Sequence, residues 1–324
     1  MNRKRNIKEF IETHYKHFNA LQLKLAAQEF VKHINNNGKM ILALAGAMST
    51  AELGISLAKM IRNNKIHAIS CTGANLEEDL YNLIGNKKYK KISNYRELTK
   101  EEEHKLYEDC FNRVTDTAIP EEIFTIVDQE LLKLWKIAEK NNERKFPHEY
   151  FYEIINSKSL EHLYCIPKEH SWLYEAAKKN LPLFVPGWED STSGNFFAAK
   201  LMTNELKNPW IVKCGIEYML ELIRWYKKES KSHDIGFFQI GGGIAGDFAI
   251  CVVPLINQDM KENVKQFSYF CQISDSTTSY GSYSGAIPNE KITWGKLSKN
   301  SKSFIIESDA TIVAPLIFEY VLSE

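Results

Sequence analysis

Short apolar runs alternate with helical patterns along most of this chain, and this alternation limits the possible folds more than any other feature. The runs are five to eight residues long and end at polar or glycine-rich segments. Strands separated by helices pair in parallel through right-handed crossovers, so we expect an α/β fold with a doubly wound, mostly parallel sheet. The predicted strands are 40–45, 66–71, 181–185, 235–240, 266–273 and 303–307.

Helical periodicity fills the segments between these strands and both ends of the chain. An N-terminal helical segment, 1–38, precedes the first strand, and its apolar spacing favours a helix over 7–35. A charged, aromatic stretch at 87–168 has helical periodicity without convincing strands, and we interpret it as a helical insertion into one domain that spans 1–324. The other predicted helices are 50–63, 76–84, 194–206, 210–228, 245–255 and 311–322.

The composition excludes several classes of function. The 41 lysines and arginines balance the 41 acidic residues, whereas nucleic-acid binders and polybasic membrane-surface proteins carry surplus positive charge. No apolar run reaches the roughly 18 residues that cross a bilayer, and the N-terminus lacks the apolar stretch of a secretory signal. The six cysteines are scattered without metal-ligand spacing. We therefore expect a cytoplasmic protein that binds no nucleic acid, membrane or metal.

Glycines follow one of the predicted strands. Ligands of doubly wound sheets bind at the carboxyl ends of the strands, and there Gly241, Gly243 and Gly246 satisfy the G-x-G-x-x-G spacing. Such a turn lets the backbone approach a pyrophosphate, although it can also be a tight turn between packed elements. Asp275 ends the next strand, where an acid can bind a ribose hydroxyl, but it lies further from the glycines than the usual spacing of about 20 residues.

Two further strand ends carry acids and small polar residues. Thr72 and Gly73 follow the strand at 66–71, and three carboxylates then fall within one helical turn. Acids at that place either complement the helix dipole or form a site for hydroxyls or a polycation. These acids are Glu77, Glu78 and Asp79. The loop after 181–185 adds Glu189, Asp190 and Asn195.

The segment 279–298 combines a carboxylate, an indole and an amine. Glu290, Trp294 and Lys296 fall within seven positions after a stretch rich in glycine, serine and tyrosine. An indole attracts an ammonium group, and a lysine that is desolvated beside an aromatic wall can lose its proton and form a Schiff base. Taken alone, Lys296 is better interpreted as an ordinary surface lysine.

Together these segments resemble deoxyhypusine synthase and its bacterial deoxyhypusine synthase-like relatives. The resemblance spans about residues 41–315, is weakest at 87–168, and keeps the order of the family's motifs. The matching segments are LALAGAMSTAELG, CTGANLEEDL, SWLYEAAKKNLPLFVPGWEDSTSG, IGGG, SGAIPNEKITWGK and SDA.

The resemblance implies a Rossmann-like NAD-binding fold and an NAD-dependent aminoalkyl transferase. In that family the aminobutyl group of spermidine passes to an enzyme lysine as an imine and then to an acceptor amine. Lys296 corresponds to the family lysine, and Glu290 and Trp294 to polyamine contacts. The resemblance also implies a homotetramer with shared active sites. The implied NAD contacts are Ser49, Thr72, Gly73, Glu77, Glu78, Asp190, Gly241, Gly242, Gly243, Asp309 and Ala310.

Four positions of the amine pocket depart from the eukaryotic synthases. Asp247 stands where they have a histidine, and Asn195 where they have an aspartate. Cys251 and Tyr283 replace an asparagine and an aspartate that contact the polyamine there. A carboxylate in place of a neutral histidine favours a cationic group, whereas loss of the aspartate disfavours one. We therefore expect a changed donor or acceptor amine.

Three functions follow as hypotheses. The first is transfer of the aminobutyl group to a small amine such as putrescine, which gives a homospermidine-type product. The second, in the same chemistry, is a deoxyhypusine synthase that modifies a lysine of the translation factor that carries hypusine. The third is a sensor that binds NAD or polyamine without turnover.

Overall fold

A parallel six-stranded sheet forms the centre of the computed structural model, which describes residues 6–276 and 281–323. Its strands run in the order β6-β2-β1-β7-β8-β9, and all neighbours pair in parallel. This confirms the predicted doubly wound fold. The strands in chain order are β1 (Lys39–Leu44), β2 (Ala68–Cys71), β3 (Lys90–Lys91), β4 (Phe111–Val114), β5 (Thr117–Pro120), β6 (Leu183–Phe184), β7 (Ile235–Ile240), β8 (Phe267–Ser274) and β9 (Leu297–Glu307).

Helices flank this sheet and connect its strands. Helices α2 and α14 contact each other and β8, whereas α11 contacts β1 and β2. The helices are α1 (Ile7–His14), α2 (Phe18–Asn35), α3 (Gly54–Arg62), α4 (Gly73–Gly85), α5 (Lys100–Glu108), α6 (Glu121–Asn141), α7 (Pro147–Ser157), α8 (Trp172–Lys179), α9 (Thr192–Met202), α10 (Gly215–Glu229), α11 (Ile244–Ile250), α12 (Val252–Pro254), α13 (Glu290–Thr293) and α14 (Ala310–Leu322). None of these helices is long and apolar enough to span a membrane.

The order of the strands fixes where the sheet offers a binding site. Strands β1, β2 and β6 extend the sheet in one direction from its centre, and β7, β8 and β9 extend it in the other. The connections therefore diverge between β1 and β7, which is the switch point at which such sheets bind ligands. Leu44, the last residue of β1, pairs with Cys71 and with Ile240, so three strands end at one level.

Buried strands explain why the apolar runs predicted this sheet. All six residues of β7 are buried, as are those of β2, because helices cover both faces of a parallel sheet. Strand β9 is longer than predicted and begins at Leu297 rather than at 303. Its first half carries exposed polar residues, which hid it from a pattern based on apolar runs.

Three predictions about the helical segments are wrong in detail. The N-terminal helix breaks into α1 and α2 because His17 is extended and Phe18 takes a left-handed φ of 55°. The predicted helix 210–228 begins only at Gly215, after a separate turn at Pro209–Ile211. The segment 87–168 is not wholly helical, because β3, β5 and β4 form a separate antiparallel sheet beside α5, α6 and α7.

The strands of this antiparallel sheet were not predicted because they are short. Strand β3 has two residues, and β4 and β5 have four each. Phe111, Arg113 and Val114 of β4 are only partly buried, so no alternating pattern marks the strand. Arg113 also forms an ion pair with Glu103 of α5, which ties the hairpin to that helix.

Candidate functional site

A cleft of about 970 Å³ opens at the carboxyl edge of the central sheet, above the switch point. The turns after β1, β7, β8 and β9 form one side of the cleft, and the tip of the β4–β5 hairpin forms another. The hairpin, which was not predicted, therefore completes the wall of the site. The lining includes Gly46, Met48, Thr50, Glu52, Tyr89, Lys91, Tyr95, Asp116, Gly241, Gly242, Asp275, Ser308, Asp309 and Ala310.

Gly241 and Gly242 of the triple glycine present bare backbone to this cleft. Gly241 and Gly243 have φ angles of 74° and 64°, which side-chain-bearing residues rarely adopt. A Cβ atom on Gly242 would lie 1.5 Å from Oγ of Ser284, so no larger residue fits there. The turn therefore suits the close approach of a dinucleotide to the backbone.

Asn75 holds the turn after β1, and the sequence analysis did not identify this role. Its Nδ2 donates to the carbonyl oxygens of Ala45 and Gly46 at 3.1 and 2.8 Å. Its Oδ1 accepts from the Ser49 backbone N–H at 2.9 Å, and Ser49 Oγ donates to the Asn75 carbonyl at 2.8 Å. Thr72 Oγ1 also donates to the Gly46 carbonyl at 2.9 Å. Ser49 and Thr72 thus help to hold the turn after β1, but they do not line the cleft themselves.

The three carboxylates of α4 are buried and bonded to the ends of other segments. Glu77 accepts from the N–H groups of Thr192 and Ser193 at 3.0 and 2.9 Å, at the start of α9. Asp79 accepts from Leu173 N–H at 3.0 Å at the start of α8, and Glu78 accepts from Thr50 N–H at 3.3 Å. Glu77 and Asp79 therefore complement the N-termini of α9 and α8 rather than that of their own helix.

Burial controls the protonation of these carboxylates. It raises the pKa of Glu78 and of Asp79 to about 7, and it raises the pKa of Glu77 as well. Hydrogen bonds from neighbouring N–H and hydroxyl groups oppose this increase without cancelling it.

The remaining predicted cofactor residues divide between the cleft and its surroundings. Asp309 lines the cleft and caps α14, because its Oδ1 accepts from Thr311 N–H at 2.7 Å. Gly73 instead packs against the Ser191 side chain. Asp190 is exposed on the loop before α9 and is not part of the cleft lining.

Lys296 lies in a cluster of side chains outside the cleft lining, and we call this cluster the Lys296 pocket. Its side chain is 9% exposed, and its Nζ is 3.0 Å from Oδ1 of Asp247 on α11. The same nitrogen lies 5.4 Å from the ring centre of Tyr283 and 5.8 Å from that of Trp294. Cys251 Sγ is 3.4 Å from the same Asp247 oxygen, and burial raises the pKa of this thiol. A buried amine, a carboxylate and two aromatic rings therefore share one small volume.

Not every predicted amine contact joins this pocket. Glu290 is exposed at the start of α13, and Trp294 is 62% exposed although its ring reaches the Lys296 amine. The Asn195 side chain, in the first turn of α9, donates to the carbonyls of Glu189 and Ser191 in the preceding loop. Residues 279 and 280, at the start of the predicted segment 279–298, lie outside the described residues.

Two buried amides connect the pocket with the cleft, and the sequence analysis missed them. Gln239 of β7 and Gln272 of β8 are directly paired in register. Gln239 donates to the Gly241 carbonyl at 2.8 Å and accepts from the Tyr283 hydroxyl at 2.7 Å. Gln272 donates to the Ser284 carbonyl. The signal for them was an amide at the same position of two otherwise apolar strands, FFQI and FCQI.

Comparisons with known proteins agree with this architecture. The family model for deoxyhypusine synthase matches residues 9–321. A "Probable deoxyhypusine synthase 1" from Archaeoglobus fulgidus is 27% identical, over 94% of this chain and 90% of that protein. A "Deoxyhypusine synthase-like protein" from Cyanothece sp. is 25% identical, over 98% of this chain and 80% of that protein.

A solved structure gives the same result for the fold. The crystal structure of a "putative deoxyhypusine synthase from Entamoeba histolytica" superposes with a TM-score of 0.59 at 12% identity, over 99% of this chain and 94% of that one. At that identity the match concerns the fold alone. The family model covers nearly the whole chain, and the chain therefore belongs to the deoxyhypusine synthase family.

Proposed function

We propose that this protein is an NAD-dependent aminobutyl transferase that uses Lys296 as its covalent carrier. The donor is spermidine or a related polyamine, and the acceptor is a small amine such as putrescine. The observation that carries the proposal is the buried Lys296 amine, 3.0 Å from the Asp247 carboxylate, in a pocket that adjoins the glycine turn. Gly246 of α11, the helix that follows this turn, packs against Tyr283, which lies near the Lys296 amine.

The cleft has the features that a dinucleotide requires. Bare backbone at Gly241 and Gly242 would lie against the pyrophosphate, and Asp309 and Ala310 would contact the cofactor from the end of β9. When bound, NAD supplies the oxidation that activates the donor amine and the reduction that makes the transferred group stable. A cleft of about 970 Å³ is at the upper end of the volumes typical of ligand pockets.

Lys296 must be neutral to react. The Asp247 carboxylate, at 3.0 Å, holds the Lys296 nitrogen in place for the reaction. The neutral amine then adds to the activated carbon of the donor, and diaminopropane leaves when the donor is spermidine. The four-carbon imine stays on Lys296 until the acceptor amine displaces it. The rings of Tyr283 and Trp294 hold the chain of methylenes and limit the access of water.

The small-amine acceptor is supported by the rebuilt pocket. Tyr283 places a ring where the eukaryotic synthases have a carboxylate, and its hydroxyl is engaged by Gln239 at 2.7 Å. Cys251 contributes a neutral thiol, and Asp247 is already paired with Lys296. The pocket thus differs from one that serves a protein lysine, while the reacting amine is retained.

We also propose that the protein forms a homotetramer with sites near subunit contacts. Large apolar side chains around the two pockets are exposed, among them Ile244, Trp294 and Ile312. A second copy would cover them, since an exposed apolar patch often marks an interface.

The decisive experiment is mass spectrometry of the amines formed from NAD, spermidine and putrescine. We expect homospermidine together with diaminopropane and no net NADH. Modification of a lysine in a protein acceptor, with no new small amine, would instead support a deoxyhypusine synthase. NAD binding without any product, and without a borohydride-stable adduct, would support a sensor.

A further inference from the structure

A second lysine is buried next to Lys296. Lys291 of α13 is 2% exposed, and its Nζ donates to the Ala286 carbonyl at 3.0 Å. This amine also lies 5.1 Å from the ring centre of Phe270 and 5.0 Å from that of Tyr283. The structure records no carboxylate within 4.0 Å of it in the two stretches that it describes.

The two lysines share one aromatic ring and one stretch of backbone. Their Nζ atoms lie 5.0 and 5.4 Å from the Tyr283 ring centre, which places them no more than about 10 Å apart. The Lys296 N–H donates to the Lys291 carbonyl at 3.1 Å. Any amine that reacts with Lys296 therefore comes close to the charge of Lys291.

The Lys291 amine is surrounded by two aromatic faces and a backbone carbonyl. Burial and the neighbouring Lys296 lower its pKa to about 8, whereas Glu290 and Asp247 oppose this decrease. The Phe270 and Tyr283 rings attract an ammonium group in the way that they would attract an ammonium of a substrate. Lys291 thus occupies a place in the pocket that would otherwise hold an ammonium group of the substrate.

We propose that Lys291 determines specificity: its ammonium group replaces one substrate ammonium on the Phe270–Tyr283 surface, so the pocket favours diamine acceptors over longer polyamines. This inference rests on the proposed function and specifies how many cationic centres the acceptor amine has. When the aminobutyl group is attached to Lys296, its terminal ammonium and Lys291 already bring two positive charges into the pocket. Each further cationic centre of an acceptor then adds repulsion.

The size of the effect follows from the separation. One additional charge pair at about 10 Å, at an effective dielectric constant of about 20, changes an affinity by roughly tenfold. A tetraamine carries two more cationic centres than a diamine. Removal of the Lys291 charge is therefore expected to change the ratio of the two dissociation constants by about tenfold or more.

The test is calorimetric titration of the protein with putrescine and with spermine, in the presence of NADH, which occupies the cofactor site but cannot oxidise an amine. We expect Lys291→Met, which keeps an unbranched chain without the charge, to bind spermine about tenfold more tightly relative to putrescine. Lys291→Arg keeps the charge and can stack on the rings, so it should keep the wild-type ratio. Lys299→Met removes an exposed lysine of β9 and is the matched control.

An unchanged ratio in a folded Lys291→Met variant would overturn the inference, and so would an equal change in Lys299→Met. If thermal unfolding shows that Lys291→Met is not folded, Lys291→Gln provides the same comparison. Binding is measured without turnover, so the ratio tests Lys291 even if the wild-type protein makes no product. Failure of the amine assay would count against the proposed function alone.

Discussion

At the residue scale, the Lys296 pocket joins three segments that are distant in sequence. Asp247 comes from α11, Tyr283 from the loop after β8, and Lys296 from the residue before β9. Asp247 contacts Lys296 because α11 follows the glycine turn and brings the carboxylate to 3.0 Å from the amine. The sequence identified Lys296 and Asp247 through motifs, but Gln239 and Lys291 act through contacts that exist only in the folded chain.

Replacement of Lys296 tests the covalent role directly. Lys296→Arg keeps a positive charge opposite Asp247 but cannot form the imine, so we expect transfer to fall by about a thousandfold or more. NAD affinity should stay within about twofold of the wild type, because Lys296 does not line the cleft. Amine analysis and a cofactor titration measure the two effects. Substantial transfer by this variant would contradict a covalent intermediate.

At the element scale, α4 anchors two helices that follow much later in the chain. Its carboxylates bond to the first turns of α8 and α9, so one helix sets the position of two others. The sequence predicted α4 from its apolar spacing and allowed its acids a role at a helix N-terminus. It could not show that the N-termini concerned belong to α8 and α9, because that depends on tertiary packing.

Loss of the Glu77 carboxylate is expected to destabilise the start of α9. Glu77→Ala leaves the N–H groups of Thr192 and Ser193 without their acceptor in a buried place, which should cost about 2 to 3 kcal/mol. Glu77→Gln keeps one acceptor oxygen and should cost less. Thermal unfolding compares the two variants. Equal stability of Glu77→Ala and the wild type would show that α9 does not depend on this cap.

At the scale of the whole molecule, the central sheet was predictable because its strands are buried on both faces and therefore consist of apolar runs. The hairpin sheet was not, because β3, β4 and β5 are short and partly exposed. The difference matters for function, since the hairpin tip forms a wall of the cleft. A single sequence predicts the buried strands of the central sheet well. The segments that enclose the cleft depend on contacts with those strands, which the sequence alone does not show.

Buried acids also give the whole molecule a dependence on pH. Burial raises the pKa of Asp128 to about 7, and its Oδ1 has no hydrogen-bond partner among the described residues. Because the folded pKa exceeds the unfolded value near 4, its contribution to stability is fully present below about pH 4 and is lost as the pH rises to about 7. Glu78 and Asp79 act in the same direction.

Asp128→Asn separates this effect from the other titrating groups. The variant cannot ionise, so we expect it to be more stable than the wild type at pH 8 by at most about 4 kcal/mol, since about three pKa units separate the folded and unfolded states. The advantage should shrink as the pH falls from 7 to 4, where the wild-type carboxyl is protonated in both the folded and the unfolded state. Urea unfolding of both proteins at pH 4.5 and pH 8 measures the difference. The buried histidines His67 and His148, whose pKa values burial lowers to about 3, are common to both proteins and cancel. A stability difference that does not change with pH would mean that Asp128 is not protonated in the folded state near neutral pH, and that its burial is compensated by Lys200.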